Sequence, residues 1–280
     1  MDILNELEHA LSSATKKQSV ISKLGFFSKP FRLTTSTGDE WVVKTYKPIG
    51  NKKLIQAIIQ NHEEYVAAMT AIGVKIPHTE IHVRKVGSKQ QLIVVQAPFK
   101  QEELVRGIME EADEATFLHI LGLLLKDTLA YWNNKQTNVI GFHPTLRNYA
   151  LRDNQLSYFD TFPPMLMPQQ ELNAIILAMA PVKMNLQGII PLSAINRVSD
   201  EYYQKDKMLT GIIGSCCRLR PEFTNQVLDF SREFIAAQDS LTPVEKDVLI
   251  AKVQAPPKLP AIWVFIRKLL GKQGKPNLKK

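Results

Sequence analysis

Residues 141–160 read GFHPTLRNYALRDNQLSYFD, and the polar groups in this run are of types that could do chemistry together. Asn148 stands twelve residues before Asp160, with the turn-like stretch Arg152-Asp153-Asn154-Gln155 between two apolar runs. A chain that doubles back at that turn carries an amide oxygen and a carboxylate on its two sides, where they could flank one divalent metal. Asp160 follows the β-rich run LSYF and precedes Thr161-Phe162-Pro163-Pro164, which stops a strand or helix from continuing. A carboxylate at such an abrupt strand end is placed to face a cleft; the plainer alternative is a turn-forming Asp before a proline pair. His143, five residues before Asn148, could accept a proton near pH 7. A loop histidine is equally well structural. Arg147 adds a positive charge that could hold phosphate or counter Asp160.

The elements that must position these groups change character along the chain. Ile3, Leu4, Leu7 and Leu11 fall on one face of a short N-terminal helix. Val20 to Leu24, Phe31 to Thr35 and Glu40 to Tyr46 then read as a three-stranded antiparallel meander, with turns at Gly25–Pro30 and at Ser36–Asp39. Asn51 to Ile72 is predicted to be helical, with Ile55, Ile59 and Val66 on one face, Ile58, His62 and Met69 beside them, and Gly73 as the stop. Strands follow at Thr79–Val86 and Gln91–Gln96. From Glu102 onward helices dominate, at about 102–112, 115–134, 168–181, 199–215, 221–238 and 243–253. A short hairpin, Tyr149–Leu151 with Ser157–Phe159, interrupts them. The fold class is therefore α+β: a helix-and-sheet lobe over residues 1–98, a helical lobe over 99–258, and a basic amphipathic tail over 259–280.

Composition limits the function classes. A 45% apolar and 22% charged chain is that of an ordinary folded protein. No run approaches the roughly 18 to 20 apolar residues of a membrane span, and the acidic start, MDILNELEHALSS, is not a secretory signal. The two cysteines, Cys216 and Cys217, are adjacent, which suits buried thiols in a reducing cytoplasm and builds no zinc site by itself. The net charge of +8 belongs to the tail: residues 267–280 hold six Lys or Arg and no acid, which leaves +2 for the rest. Nucleic acid is thus not indicated as a partner. Trp263, Phe265, Leu269 and Leu270 beside Arg267 and Lys268 suit contact with an anionic surface or partner, or equally a helix docked on the protein's own core.

The element order resembles the bilobal kinase-like fold, in the branch that includes aminoglycoside and choline phosphotransferases, over residues 19 to 240. On that resemblance Lys44, in EWVVKTYK, is the strand lysine that holds the nucleotide phosphates. Its flanking Val42 and Val43 suit an inner strand that aims the ammonium into the cleft, the alternative being a surface lysine like Lys47 nearby. The family's partner glutamate on the following helix corresponds to Glu63 of His62-Glu63-Glu64, since Glu63 lies nearer the Ile59 direction. The phosphate-covering loop corresponds to LGFFSKPF, where Gly25 stands alone and the Ser28 hydroxyl could hold phosphate, although a plain hairpin turn explains the segment too. Gln96 and the following Ala97-Pro98-Phe99 correspond to the hinge that meets adenine.

In the family the catalytic loop reads His-Gly-Asp, with an Asn five residues later and a second Asp at a strand end. Asn148 and Asp160 match the last two, which implies Mg2+ bound with ATP phosphates. Gly141-Phe142-His143 replaces the first triplet, so His143 stands where the catalytic Asp is expected. The resemblance implies an ATP-dependent phosphotransferase acting on a small-molecule hydroxyl or amino acceptor, in the cytoplasm. A kinase-like protein that binds nucleotide without transferring phosphate is the alternative.

Overall fold

The computed structural model describes residues 6, 7, 9, 11, 19–21, 27–135, 139–179, 192–258 and 264. Gly25, most of the first expected strand and nearly all of the tail lie outside them.

Five strands form one antiparallel sheet in the order β1 (Ser19–Val20), β2 (Phe31–Thr34), β3 (Glu40–Thr45), β5 (Lys89–Gln96), β4 (Thr79–Val86). In it β3 lies between β2 and β5, with Lys44 opposite Val94. The β4–β5 pair is a regular hairpin closing at Gly87, whose positive φ of 59° suits glycine in a tight turn. The helix Lys52–Ala71 starts with an Asn51 side-chain cap on the Leu54 amide. It buries Ile55, Ile58, His62, Tyr65 and Met69, a stripe spaced alternately three and four residues apart.

The second lobe is helical, with Glu114–Asn134 as its central helix and Gln169–Met179, Leu192–Tyr203, Lys205–Leu219, Thr224–Ala236 and Pro243–Lys252 following the hairpin β6 (Tyr149–Arg152) and β7 (Gln155–Tyr158). The two-residue β6–β7 turn places Asp153 and Asn154 at φ 51° and 58°, a left-handed pair that Asp and Asn tolerate best after glycine. One buried core runs through both lobes, from Tyr46, Ile55 and Leu92 to Leu124, Phe142 and Ile213. A separate small core covers the far face of the sheet, where Leu7 from the N-terminal helical turn packs with Phe31, Leu33, Val43, Ile93 and Val95.

Two expectations need correction. The segment 102–112 is a 3-10 turn, Gln101–Glu103, followed by a short helix, Val105–Glu111. The expected helix 199–215 is two helices meeting at Gln204, whose backbone is extended at φ −119° and ψ 123°. No Gly or Pro marks that break. The Tyr202 carbonyl accepts from the Phe142 amide at 2.8 Å, a bond that a continuous helix would have spent on itself.

Candidate nucleotide and metal site

The β6–β7 hairpin sets Asn148 and Asp160 side by side, because each lies at one end of it. The Phe159 amide donates to the Asn148 carbonyl at 3.0 Å and closes the hairpin's base. The Phe159 carbonyl in turn accepts from Lys44 Nζ at 2.8 Å. One residue thus joins the inner sheet strand to both proposed cation ligands. Lys44 is thus aimed at the hairpin of the second lobe and is half-buried. Burial lowers its pKa, and the nearby Asp160 carboxylate opposes the shift. Asp160 is the mirror case: burial raises its pKa, while Lys44 and a hydrogen bond from Asn148 hold it down. Its side chain still exposes 36% of its surface, enough for an ion to reach it.

The loop before Asn148 is fixed from beneath. Phe142 is fully buried among the rings of Tyr131, Tyr149 and Tyr158, at centroid distances of 4.7, 6.4 and 4.9 Å. Gly141 has no room for a side chain: a Cβ there would meet Tyr203 Cζ at 2.9 Å and Met165 Cβ at 3.0 Å. With Gly141 and Phe142 pinned, His143 is held at the cleft. Its ring lies against Tyr202 at 4.5 Å, its carbonyl accepts from Asn148 Nδ2 at 3.0 Å, and its Nδ1 stands 4.0 Å from Asp160 Oδ2. Burial pushes its pKa down to about 4, so the imidazole is neutral at pH 7.

Glu63 is not the partner of Lys44. It is exposed, because the buried stripe of its helix is centred nearer Ile58 and His62 than Ile59, and Glu63 lies off its edge. His62 occupies the inward position instead, 1% exposed, with Nε2 3.0 Å from the Thr161 hydroxyl. Burial and the Lys44 charge lower its pKa to about 4, and its Nδ1 is buried without a hydrogen-bond partner. The signal for His62 was in the sequence: it falls at helical spacing with Ile55, Ile58, Tyr65 and Met69.

The remaining candidates are spread around the cleft. Ser28 is half-buried beside the Tyr46 hydroxyl. The Tyr46 ring lies 3.8 Å from Phe162, and Phe27 contacts Phe162 edge-on at 6.2 Å. The phosphate-loop segment therefore reaches the residues just after Asp160. Gln96 turns away: it is buried, and its amide donates to Thr79 Oγ1 at 3.0 Å. The hinge beyond it is tied down by Arg32, which donates to the Phe99 carbonyl at 2.8 Å, and by Phe99 against Phe159 at 6.0 Å. Arg147 is on the exposed turn. Phe159, Thr161 and Tyr202 were not among the expected residues; Phe159 and Tyr202 act through backbone groups and ring faces, which leave no motif, and Thr161 through a hydroxyl that meets His62 across the cleft.

The residues present fit a hard cation in part. Asn148 Nδ2 is bonded to the His143 carbonyl and donates to the Asp160 carboxylate, so Oδ1 would reach a cation beside Asp160 only if the amide turned over and gave up those bonds. Among the described residues no three His, Cys, Asp or Glu side chains group as a metal site, so phosphate or water oxygens would have to complete an octahedron.

Residues 6–274 match a family of unknown function, DUF6206, and the chain belongs to that family. No curated protein matches its sequence. Among solved structures it is similar to the PAN3 pseudokinase of Neurospora crassa, at 14% identity and a TM-score of 0.35, over 82% of this chain and 71% of that one. It is similar also to a MAP kinase of Leishmania major, at 10% identity and a TM-score of 0.36, over 99% of this chain and 74% of that one. Likeness at these scores says nothing of activity. The kinase-like α+β arrangement, a small antiparallel sheet lobe before a larger helical lobe, stands in the chain's own element order.

Proposed function

We propose that this protein binds ATP with Mg2+ in the cleft between its lobes and does not transfer the γ-phosphoryl group. Lys44 would hold phosphate oxygens, and Asn148 with Asp160 would hold the cation, which neutralises the phosphate charge when bound. The observation that carries the second half is a pair of uncharged imidazoles. His62 lies near Lys44 and His143 near Asp160, where the kinase-like pattern has two carboxylates. A carboxylate orients and deprotonates an acceptor hydroxyl through its negative charge. An imidazole held neutral by burial is no stronger a base than a carboxylate and brings no negative charge to orient the hydroxyl.

Within kinase-like folds, the small-molecule branch suits this chain better than the protein kinases. Only Thr161 to Pro168 separate Asp160 from the next helix, Gln169–Met179, which leaves no length for a protein-substrate activation segment. A cytoplasmic setting belongs to this same reading, and a small-molecule acceptor belongs to the alternative in which phosphate is transferred.

Calorimetric titration with ATP, with and without Mg2+, tests binding. ADP release across a panel of hydroxyl and amino acceptors tests transfer. The expected result is binding without ADP release, in the parent and in His143→Asp alike. Release by the parent would establish His143 as a working base; absence of ATP binding would overturn the reading altogether.

A further inference from the structure

We propose that His143 is itself a metal ligand, and that it turns the Asn148–Asp160 site into a mixed nitrogen and oxygen site for a borderline divalent ion of the Zn2+ class rather than for Mg2+ alone. This rests on the reading of Asn148 and Asp160 as the cation site, but not on nucleotide binding.

The geometry is that of two ligands facing one gap. His143 Nδ1 lies 4.0 Å from Asp160 Oδ2. Two atoms that share a first-row ion at about 2.1 Å each are no more than about 4.2 Å apart, so a small rotation of either side chain closes the pair on one ion. The Asn148 amide lies beside them with its NH2, Nδ2 being 3.4 Å from the same imidazole nitrogen and bonded to the His143 carbonyl, so it joins as a ligand only once the amide turns over to offer its oxygen. The ring is not free to swing away, because Tyr202 lies against it at 4.5 Å and the carbonyl also accepts from the Thr145 amide at 3.0 Å. Both side chains remain open to solvent, 27% for His143 and 36% for Asp160, so an ion has a way in. Lys44 is the competing cation, held near Asp160 through the Phe159 carbonyl. Chemistry then sets the preference. Carboxylate and amide oxygens suit Mg2+, whereas an imidazole nitrogen favours Zn2+ and its neighbours in the first transition row.

The test is calorimetric titration of the full chain with Zn2+ and with Mg2+, without nucleotide. His78 and His82, both bonded to Glu80 on β4, would take zinc on their own account, so the background carries His78→Gln and His82→Gln. In that background His143→Ala is expected to weaken Zn2+ binding at least tenfold and to leave Mg2+ binding within a factor of two. His143→Asp is expected to restore a site that prefers Mg2+. Bound Mn2+ gives a second readout: pulsed electron paramagnetic resonance should show coupling to an imidazole nitrogen in the background protein and none in His143→Ala. Unchanged Zn2+ affinity in His143→Ala, or Mn2+ without nitrogen coupling, overturns the proposal. ATP binding is measured separately, so a site that takes Zn2+ but no ATP would remove the nucleotide reading alone. Mg-ATP binding together with a Zn2+ affinity that His143→Ala does not change would remove this inference alone.

Discussion

Among the described residues Lys44 has one carboxylate near it, Asp160, and one hydrogen-bond acceptor, the Phe159 carbonyl. Its ammonium is therefore available to phosphate without first breaking a full ion pair. Lys44→Met is expected to weaken Mg-ATP binding by about tenfold or more, the worth of one charge-assisted hydrogen bond. Isothermal titration reads this directly, and an unchanged dissociation constant would move Lys44 out of the site. His62 gives a prediction with a sign. Its pKa is about 4 in the fold, below its ordinary value of 6.5. Between those values the unfolded chain binds more protons, so stability rises with pH. The contribution is complete above about pH 6.5 and is lost as pH falls through about 4, amounting to about 3 kcal/mol at most. Denaturant unfolding at pH 7 and pH 4.5 should show a steeper loss in the parent than in His62→Gln. His143 shifts in the same direction but is common to both proteins, so the difference isolates His62. Equal losses would mean that His62 is reached by water.

At the scale of elements, the helix Lys52–Ala71 is clamped to the helical lobe rather than poised to swing. Successive inward residues each make a bond across the interface: Asn61 donates to the Leu166 carbonyl at 2.7 Å, His62 meets Thr161, and the Tyr65 hydroxyl donates to the Gly141 carbonyl at 3.1 Å. Gly141 is where this clamp meets the loop that carries His143. Gly141→Ala forces a methyl against Tyr203 and Met165 and should cost about 1 to 3 kcal/mol. It should also loosen the loop. A shift in melting temperature with reduced metal or nucleotide affinity is expected; affinity unchanged alongside full stability would show that the loop yields freely.

The whole molecule shares one core across its lobes, with further ties such as the Tyr158 amide to the Lys75 carbonyl and Asn134 to the Ile72 carbonyl. The lobes are therefore expected to unfold together, in a single calorimetric transition whose midpoint rises with Mg-ATP. Two resolved transitions would mean that the shared core does not couple them. The small core on the far face of the sheet depends on Leu7, which is fully buried there. Leu7→Ala should cost about 2 to 5 kcal/mol, measured by denaturant titration. A negligible change would mean that the N-terminal turn does not cover the sheet.

Local pattern was enough for the elements whose cause is local. The β6–β7 hairpin follows from Asp153-Asn154, the helix stop at Gly73 from its glycine, and the approach of Asn148 to Asp160 from the hairpin between them, since a short closed loop leaves its ends nowhere else to go. Contacts between distant segments had no such cause. The Lys44–Phe159 bond joins residues 115 apart, and the break at Gln204 exists because Phe142 takes the Tyr202 carbonyl. The exchange of Glu63 for His62 is the same lesson in one turn of helix. Spacing alone permits several faces, and the face that is buried is the one with a surface to meet. Tertiary packing chose the Ile58–His62–Tyr65 face, and with it set a neutral imidazole beside Lys44 where a carboxylate was expected.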